Sequence, residues 1–127
     1  MKLLIALPCL NEAENLRPVL ERIPKTCEGI DVVRTLVVDD GSVDDTVSIA
    51  REMGVKVVEH RQNKGLGQAF LSAVDYALDY GYDVMVNMDG DGQFDPTDIQ
   101  RLIDPILAQQ ADFVTGTRFT GGDRIEH

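Results

Sequence analysis

Apolar residues along the chain follow two alternating rhythms. Lys2–Leu7 is a nearly unbroken apolar run, and Val33–Val38, Val55–Glu59, Asp83–Met88 and Asp112–Thr117 are further short runs rich in β-branched residues. Runs of this kind, without strict alternation, suit strands buried on both faces of a parallel sheet. Between them apolar residues recur at helical spacing, most clearly at Leu66, Ala69, Phe70, Ala73, Val74, Ala77 and Leu78. Ala13, Leu16, Val19, Leu20 and Ile23 repeat the pattern, as do Ile99, Leu102, Ile103, Ile106 and Leu107. Ser42-Val43-Asp44-Asp45 has the form of a capping-box helix start, and Asp95-Pro96-Thr97-Asp98 places a cap before a proline at the first helical position. Pro105 is expected to kink the last helix, because it lacks the N–H owed to the carbonyl four residues back. The order βαβαβαβαβ predicts a three-layer α/β fold, Rossmann-like, on an open, mostly parallel sheet with right-handed crossovers.

The 127 residues suffice for a single domain, 1–127, and no linker, repeat or low-complexity tract divides them. Hydrophobic residues at 43% and charged residues at 27% allow a real core, so a disordered or fibrous chain is not expected. No apolar run approaches the roughly 18 residues of a membrane span. The run after Met1-Lys2 is too short for a signal-peptide core, so a cytoplasmic chain is expected. Cys9 and Cys27 have neither the number for a disulfide framework nor the spacing of a zinc site, and are expected to be reduced, partly buried thiols. Twelve Lys and Arg against 22 Asp and Glu give a net charge of −10, which repels a phosphate backbone; no nucleic-acid partner is expected.

The acidity has a place in the pattern. Glu12, Asp39, Asp40, Asp44, Asp89, Asp91 and Asp95 all fall at or just after a predicted strand end, the edge where open α/β sheets bind ligands. In Asp89-Gly90-Asp91-Gly92-Gln93-Phe94-Asp95-Pro96 the first two carboxylates stand at i and i+2 of an extended segment, facing one spot. With the Gln93 amide oxygen they form a hard oxygen set suited to Mg²⁺ or Mn²⁺. An EF-hand reading fails, since Phe94 and Gln100 stand where Gly and Glu are required. Asp39-Asp40-Gly41-Ser42 ends the second strand, and one carboxylate is expected to cap the following helix while the other accepts hydrogen bonds from a ribose or a base. The residue types leave open which does which. Pro8-Cys9-Leu10-Asn11-Glu12 ends the first strand, where the proline is expected to stop the ladder. Asn63-Lys64-Gly65-Leu66-Gly67-Gln68-Ala69 opens the third helix, but Phe70 spoils a dinucleotide fingerprint; Lys64 is either a diphosphate neighbour or part of a plain helix start. Arg118, at the end of the last strand, suits a bidentate phosphate clamp. His60 is read as a solvated strand-end residue, and neither it nor His127 belongs to a recognisable Ser/His/Asp set.

These motifs, in this order and across almost the whole chain, resemble family 2 glycosyltransferases, and most of all those that act on dolichyl and other polyprenyl phosphates. The resemblance implies a GT-A nucleotide-sugar-binding fold and inverting, Mg²⁺- or Mn²⁺-dependent transfer of a sugar from a GDP- or UDP-sugar to a polyprenyl (dolichyl or undecaprenyl) phosphate. It implies nucleotide contacts at Pro8, Leu10, Glu12, Val38, Asp39, Asp40, Lys64, Gly65, Asp89 and Gly90. Metal ligation is implied at the Asp-x-Asp motif, Asp89 and Asp91, with Gln93, and catalytic roles for Asp91 and Arg118. In that family the sequence continues well past the fifth strand, so the chain looks like the N-terminal, donor-binding part of a longer protein, whose further part would supply acceptor binding and peripheral membrane contact at the cytoplasmic face. Two rivals stand beside it. A non-catalytic nucleotide-sugar-binding module would share the donor motifs. A response-regulator receiver domain would need an acidic pair after the first strand and an Asp after the third, where this chain has Pro8–Glu12 and His60-Arg61-Gln62-Asn63.

Overall fold

A computed structural model describes residues 1–88, 99–101, 103–104 and 113–115, with the backbone alone for Leu66 and 113–115. The elements are β1 (Lys2–Cys9), α1 (Ala13–Arg22), β2 (Val32–Asp39), α2 (Thr46–Glu52), β3 (Lys56–Glu59), α3 (Leu66–Asp79), β4 (Val84–Asn87) and β5 (Phe113–Thr115). Residues 99–101 and 103–104 are helical as well. The five strands form one sheet in the order β3-β2-β1-β4-β5, with every pair parallel.

Strand order reverses at β1, because the chain steps outward through β2 and β3 and then returns to β1's other side. The step from β3 to β4 reverses direction, and a right-handed crossover then puts α3 on the face opposite α1 and α2. On one face Leu3, Ile5, Leu7, Val37, Val84 and Val86 pack with Leu16, Val19 and Leu20 of α1, Ala50 of α2 and Ile99 and Ile103. On the other, Leu4, Ala6, Leu36, Val38 and Met85 meet Ala69, Ala73 and Ala77 of α3. The three alanines, four residues apart, let α3 lie close to the sheet. Leu3, Leu4, Ile5 and Leu7 are fully buried, so β1 is the hydrophobic centre, each such side chain contributing roughly 1.5–3 kcal/mol. The order 3-2-1-4-5 also removes the receiver-domain reading, which requires 2-1-3-4-5.

Two expectations are corrected. Pro8 does not end β1: the strand runs on to Cys9, with Pro8 opposite Val38 and Cys9 opposite Asp39. Ala6 accepts from the N–H of Met88, on the β4 side, and alternation points Pro8 the same way. The β1–β4 ladder ends at Ala6 and Asn87, so the missing proline N–H faces a side where pairing has already stopped. Likewise α2 begins at Thr46 rather than at Ser42, because Ser42, Val43 and Asp44 are spent in ties to the neighbouring loop. Pro18 stands inside α1, whose one apolar stripe still buries Leu16, Val19 and Leu20. The expected cap at Asp95-Pro96 and the kink at Pro105 lie outside the described residues.

Candidate functional site

The loops after β1, β2 and β3 emerge side by side at the carboxyl edge and are stitched to one another. The Asn11 N–H donates to Ser42 Oγ at 2.8 Å, and Asn11 Oδ1 accepts from the Val43 N–H at 2.9 Å. Asn11 adopts φ of 54°, a left-handed conformation that Asn tolerates better than most residues, and the two reciprocal bonds hold it there. The Glu12 N–H donates to Thr46 Oγ1 and the Ala13 N–H to Asp44 Oδ2, so the start of α1 is satisfied by the loop before α2. Asp44 Oδ1 also accepts from the Thr46 N–H and hydroxyl. Burial alone would push the Asp44 carboxyl up, but the bonds from Thr46 and Ala13 outweigh it and hold it below the ordinary range.

Asp39 and Asp40 leave β2 on opposite faces. Asp39 is opposite Cys9, whose side chain belongs to the α1 and α2 face, and Asp40, one residue on, turns toward α3. Asp39 Oδ2 accepts from the Gly41 and Ser42 N–H groups at 3.3 and 3.0 Å and closes the turn. Its other oxygen, Oδ1, is buried and has no hydrogen-bond partner among the described residues. Asp40 is fully engaged: Oδ1 accepts from the Lys64 N–H at 2.8 Å and Oδ2 from the Gly65 N–H at 2.9 Å. The His60 ring adds a third bond, Nδ1 to Oδ1 at 2.8 Å. Desolvation would raise the Asp40 carboxyl, yet the bonds from His60, Lys64 and Gly65 together hold it below the ordinary range. Neither aspartate caps α2. Asp40 instead holds the start of α3, a helix further along the chain.

His60 corrects another expectation, since it is buried, with 9% exposure, and spans Asp40 and Ser72: Nε2 lies 2.8 Å from Ser72 Oγ on α3. The signal was strand parity. Val58 packs on the α3 side, and two residues later His60 faces the same way. Both cysteines are fully rather than partly buried, and burial pushes the Cys27 thiol up.

The remaining candidates fall into groups. Pro8 and Val38 are buried, Val38 with its side chain against α3; Leu10 is 39% exposed at the rim. Glu12 precedes α1, and its Oε1 accepts from the Asn15 amide at 3.2 Å. Lys64 is exposed beside Gly65, whose φ of 94° only glycine adopts comfortably. Asp89, Gly90, Asp91, Gln93 and Arg118 lie outside the described residues. Asn87, at the end of β4, brings to this edge a second buried oxygen without a partner among the described residues, Oδ1, on the α3 face beside Ala6. Among the described residues no group of three or more His, Cys, Asp or Glu is placed to hold a metal ion.

This arrangement, with a Rossmann-like strand order and a polar floor at the carboxyl edge, coincides with a family match. The model for glycosyl transferase family 2 matches residues 4–127. The chain belongs to that family. Over 98% of its length it is 38% identical to polyprenol monophosphomannose synthase of Mycolicibacterium smegmatis and 35% identical to undecaprenyl-phosphate mannosyltransferase of Micrococcus luteus. It covers 48% and 51% of those proteins, so it spans about half the length of these relatives. The fold is that of the GT-A glycosyltransferases. It superposes with a TM-score of 0.70 and 28% identity on the crystal structure of glucosyl-3-phosphoglycerate synthase from Mycobacterium tuberculosis in complex with Mn²⁺, uridine diphosphate and glucosyl-3-phosphoglycerate, covering 84% of this chain and 39% of that one.

Proposed function

We propose that this family 2 chain is the donor-binding part of an inverting glycosyltransferase that moves a hexose from a nucleotide diphosphate sugar to a polyprenyl phosphate. The observation that carries the reading is Asp39 Oδ1, a buried carboxylate oxygen with no partner among the described residues, on a side chain whose Oδ2 is held by the Gly41 and Ser42 amides at the carboxyl edge. An ionised carboxylate only accepts, so it calls for a donor from a ligand, as a ribose hydroxyl or a base N–H would supply. Asp39, rather than Asp40, whose two oxygens already accept three hydrogen bonds, is then the carboxylate that touches the nucleotide. Lys64, exposed on the neighbouring loop, lies toward the diphosphate. The relatives named for polyprenyl and undecaprenyl mannosyl transfer support the acceptor class.

The hard oxygen donors of Asp89, Asp91 and Gln93 fit Mg²⁺ or Mn²⁺, and such an ion would neutralise charge gathering on the departing diphosphate. Arg118 would add a bidentate clamp on a phosphate. A phosphate acceptor is already anionic: its oxygen attacks the anomeric carbon as the bond to the diphosphate breaks, and no base has to be supplied. Because such an acceptor is membrane-held, the reading places the work at a membrane surface, although no described helix is long and apolar enough to cross one.

Calorimetry with GDP and UDP, with Mn²⁺ and with EDTA, tests this. The unaltered chain should bind one of them in a Mn²⁺-dependent way. Asp39→Asn should bind about 10–100-fold more weakly, the range for losing a charged hydrogen bond of about 1.5–3 kcal/mol. Equal affinity of the two proteins, or binding indifferent to EDTA, would overturn it.

A further inference from the structure

The chain of contacts Asp40, His60, Ser72 is not used by the reading above, and its geometry asks what it does. Asp40 Oδ1 receives His60 Nδ1 and the Lys64 N–H, and Oδ2 receives the Gly65 N–H. His60 is anchored a second time, its own N–H donating to the Asp39 carbonyl at 2.8 Å and extending the β2–β3 ladder one step past Glu59. Gly41 closes the same junction, since a Cβ there would stand 3.1 Å from Asn63 N and from the Gln62 carbonyl carbon. The turn that presents Asp39 and the loop that presents Lys64 are therefore one assembly, with a buried imidazole at its centre.

We propose that His60 is a positioning residue: fixed as the Nδ1–H tautomer by Asp40, it holds the Lys64–Gly65 backbone against the Asp39–Ser42 turn. The inference that this serves nucleotide binding rests on the function proposed above. A carboxylate has no proton to give, so Nδ1 must carry one. In neutral imidazole Nε2 is then the acceptor, and the Ser72 hydroxyl donates to it. If the ring gains a proton, Nε2 donates and the hydroxyl rotates, so Ser72 serves both states without moving. Asp40 is the one titratable side chain touching the ring among the described residues. Ala69 and Ala73 of α3 and Val38 of β2 pack on the same face of the sheet. Lys64 and Gly65 enter α3 through a residue at φ 94°, and the Asp40 bonds to both N–H groups select that entry.

The chain has two histidines, His60 and His127, so ¹⁵N labelling of histidine in a His127→Gln background isolates one ring. The neutral ring should show a protonated Nδ1 and a bare Nε2, the minor tautomer in water. Hydrogen exchange should find the Lys64 and Gly65 amides protected in the absence of any nucleotide. His60→Phe keeps the ring volume but removes the donor, and should speed exchange of both amides about tenfold or more. His60→Asn, whose amide N–H can stand near Nδ1, should restore most of the protection. Binding of GDP or UDP with Mn²⁺ should weaken about tenfold in His60→Phe and recover in His60→Asn. A neutral ring protonated at Nε2 rather than Nδ1, or exchange unchanged in His60→Phe, overturns the proposal. Should His60→Phe not fold, the tautomer in the unaltered ring decides alone. The expected tautomer and protected amides in a chain that binds neither nucleotide would uphold the clasp and remove only the nucleotide reading.

Discussion

Gly41 and Gly54 make a controlled pair. Both have positive φ, 93° and 78°, so alanine at either position takes on strain of about 1–2 kcal/mol, partly offset by the smaller freedom of an unfolded alanine chain, about 0.4–1 kcal/mol. At Gly54 the story ends there, because nothing lies within 4 Å of an added Cβ. At Gly41 the new methyl meets Asn63 N and the Gln62 carbonyl carbon at 3.1 Å, and Gln62 Cα at 3.4 Å. All three are backbone atoms, which cannot swing aside as the tip of a side chain would, and overpacking of this kind costs about 1–3 kcal/mol. Gly54→Ala should therefore lose about 1 kcal/mol and Gly41→Ala about 2–4 kcal/mol. The shared conformational part largely cancels in the difference between the two variants, leaving the collision. Urea unfolding followed by far-UV circular dichroism is the suitable assay, since the chain has no tryptophan. With a slope of about 1–3 kcal/mol per molar urea, the two midpoints should differ by about 1 M. Gly41→Ala should also weaken nucleotide binding, because the displaced residues 62–63 lead into Lys64 and Gly65. Equal midpoints for the two variants would refute the reasoning, by showing that the loop moves freely and is not part of one assembly with the turn.

Acid should loosen the same region. Asp40 and Asp44 are held below the ordinary carboxylate range in the folded chain, so the stability they contribute is fully present above the unfolded value near 3.8 and is lost as pH falls through their lower folded values. Unfolding midpoints should change little from this source between pH 7 and 5 and drop below pH 4, with a smaller drop in Asp40→Asn; an identical acid profile in that variant would contradict the assignment. Cys27 is buried and its thiol is pushed up chiefly by that burial, and Cys9 is buried with its Sγ 3.6 Å from the Leu7 carbonyl oxygen. Neither should react with iodoacetamide within minutes at pH 7.5, while both should in denaturant; rapid labelling of the native chain, read by intact mass, would count against the packing described.

Periodicity carried the fold a long way, because strands buried on both sides and helices with one apolar stripe leave unambiguous spacing, as at Leu3–Leu7 and Leu66–Leu78. The placement of Glu12, Asp39, Asp40 and Asp44 at or just after strand ends also survived, since it follows from where the runs stop. What spacing could not express is direction across the sheet. Pro8 was expected to break a ladder that in fact ends on one side of it only, and that depends on how far β4 extends. The partition between Asp39 and Asp40 was hidden for the same reason: adjacent residues face opposite layers, and which layer holds a loop needing an acceptor is a matter of three-dimensional neighbours. His60 lay within reach of strand parity, once Val58 is taken as facing α3. Ser42, expected at a helix start, and Thr46 both accept from a loop about thirty residues earlier, a tie no local pattern announces. The Asp89 to Pro96 motif, the most specific chemical signal in the sequence, falls outside the described residues, as does Arg118.

The sheet register also says in what order the edge can assemble. Pairing Lys2 with Val32 closes a segment of about 30 residues, whereas pairing Leu3 with Val84 closes one of about 80. By the logarithmic dependence of chain closure on length, the second costs about 0.9 kcal/mol more when each forms alone. That gap shrinks once β1, β2 and β3 have collapsed with α1 and α2 into a partial sheet, because β4 is then delivered by α3, a 14-residue helix already docked through its alanines. The expected transition state thus holds β1 beside β2, with β4 arriving late. Substitutions in β1 and β2 should slow refolding, and those in β4 should chiefly hasten unfolding. The crevice between β1 and β4, where strand order turns back, is on this view the youngest surface of the molecule each time it folds.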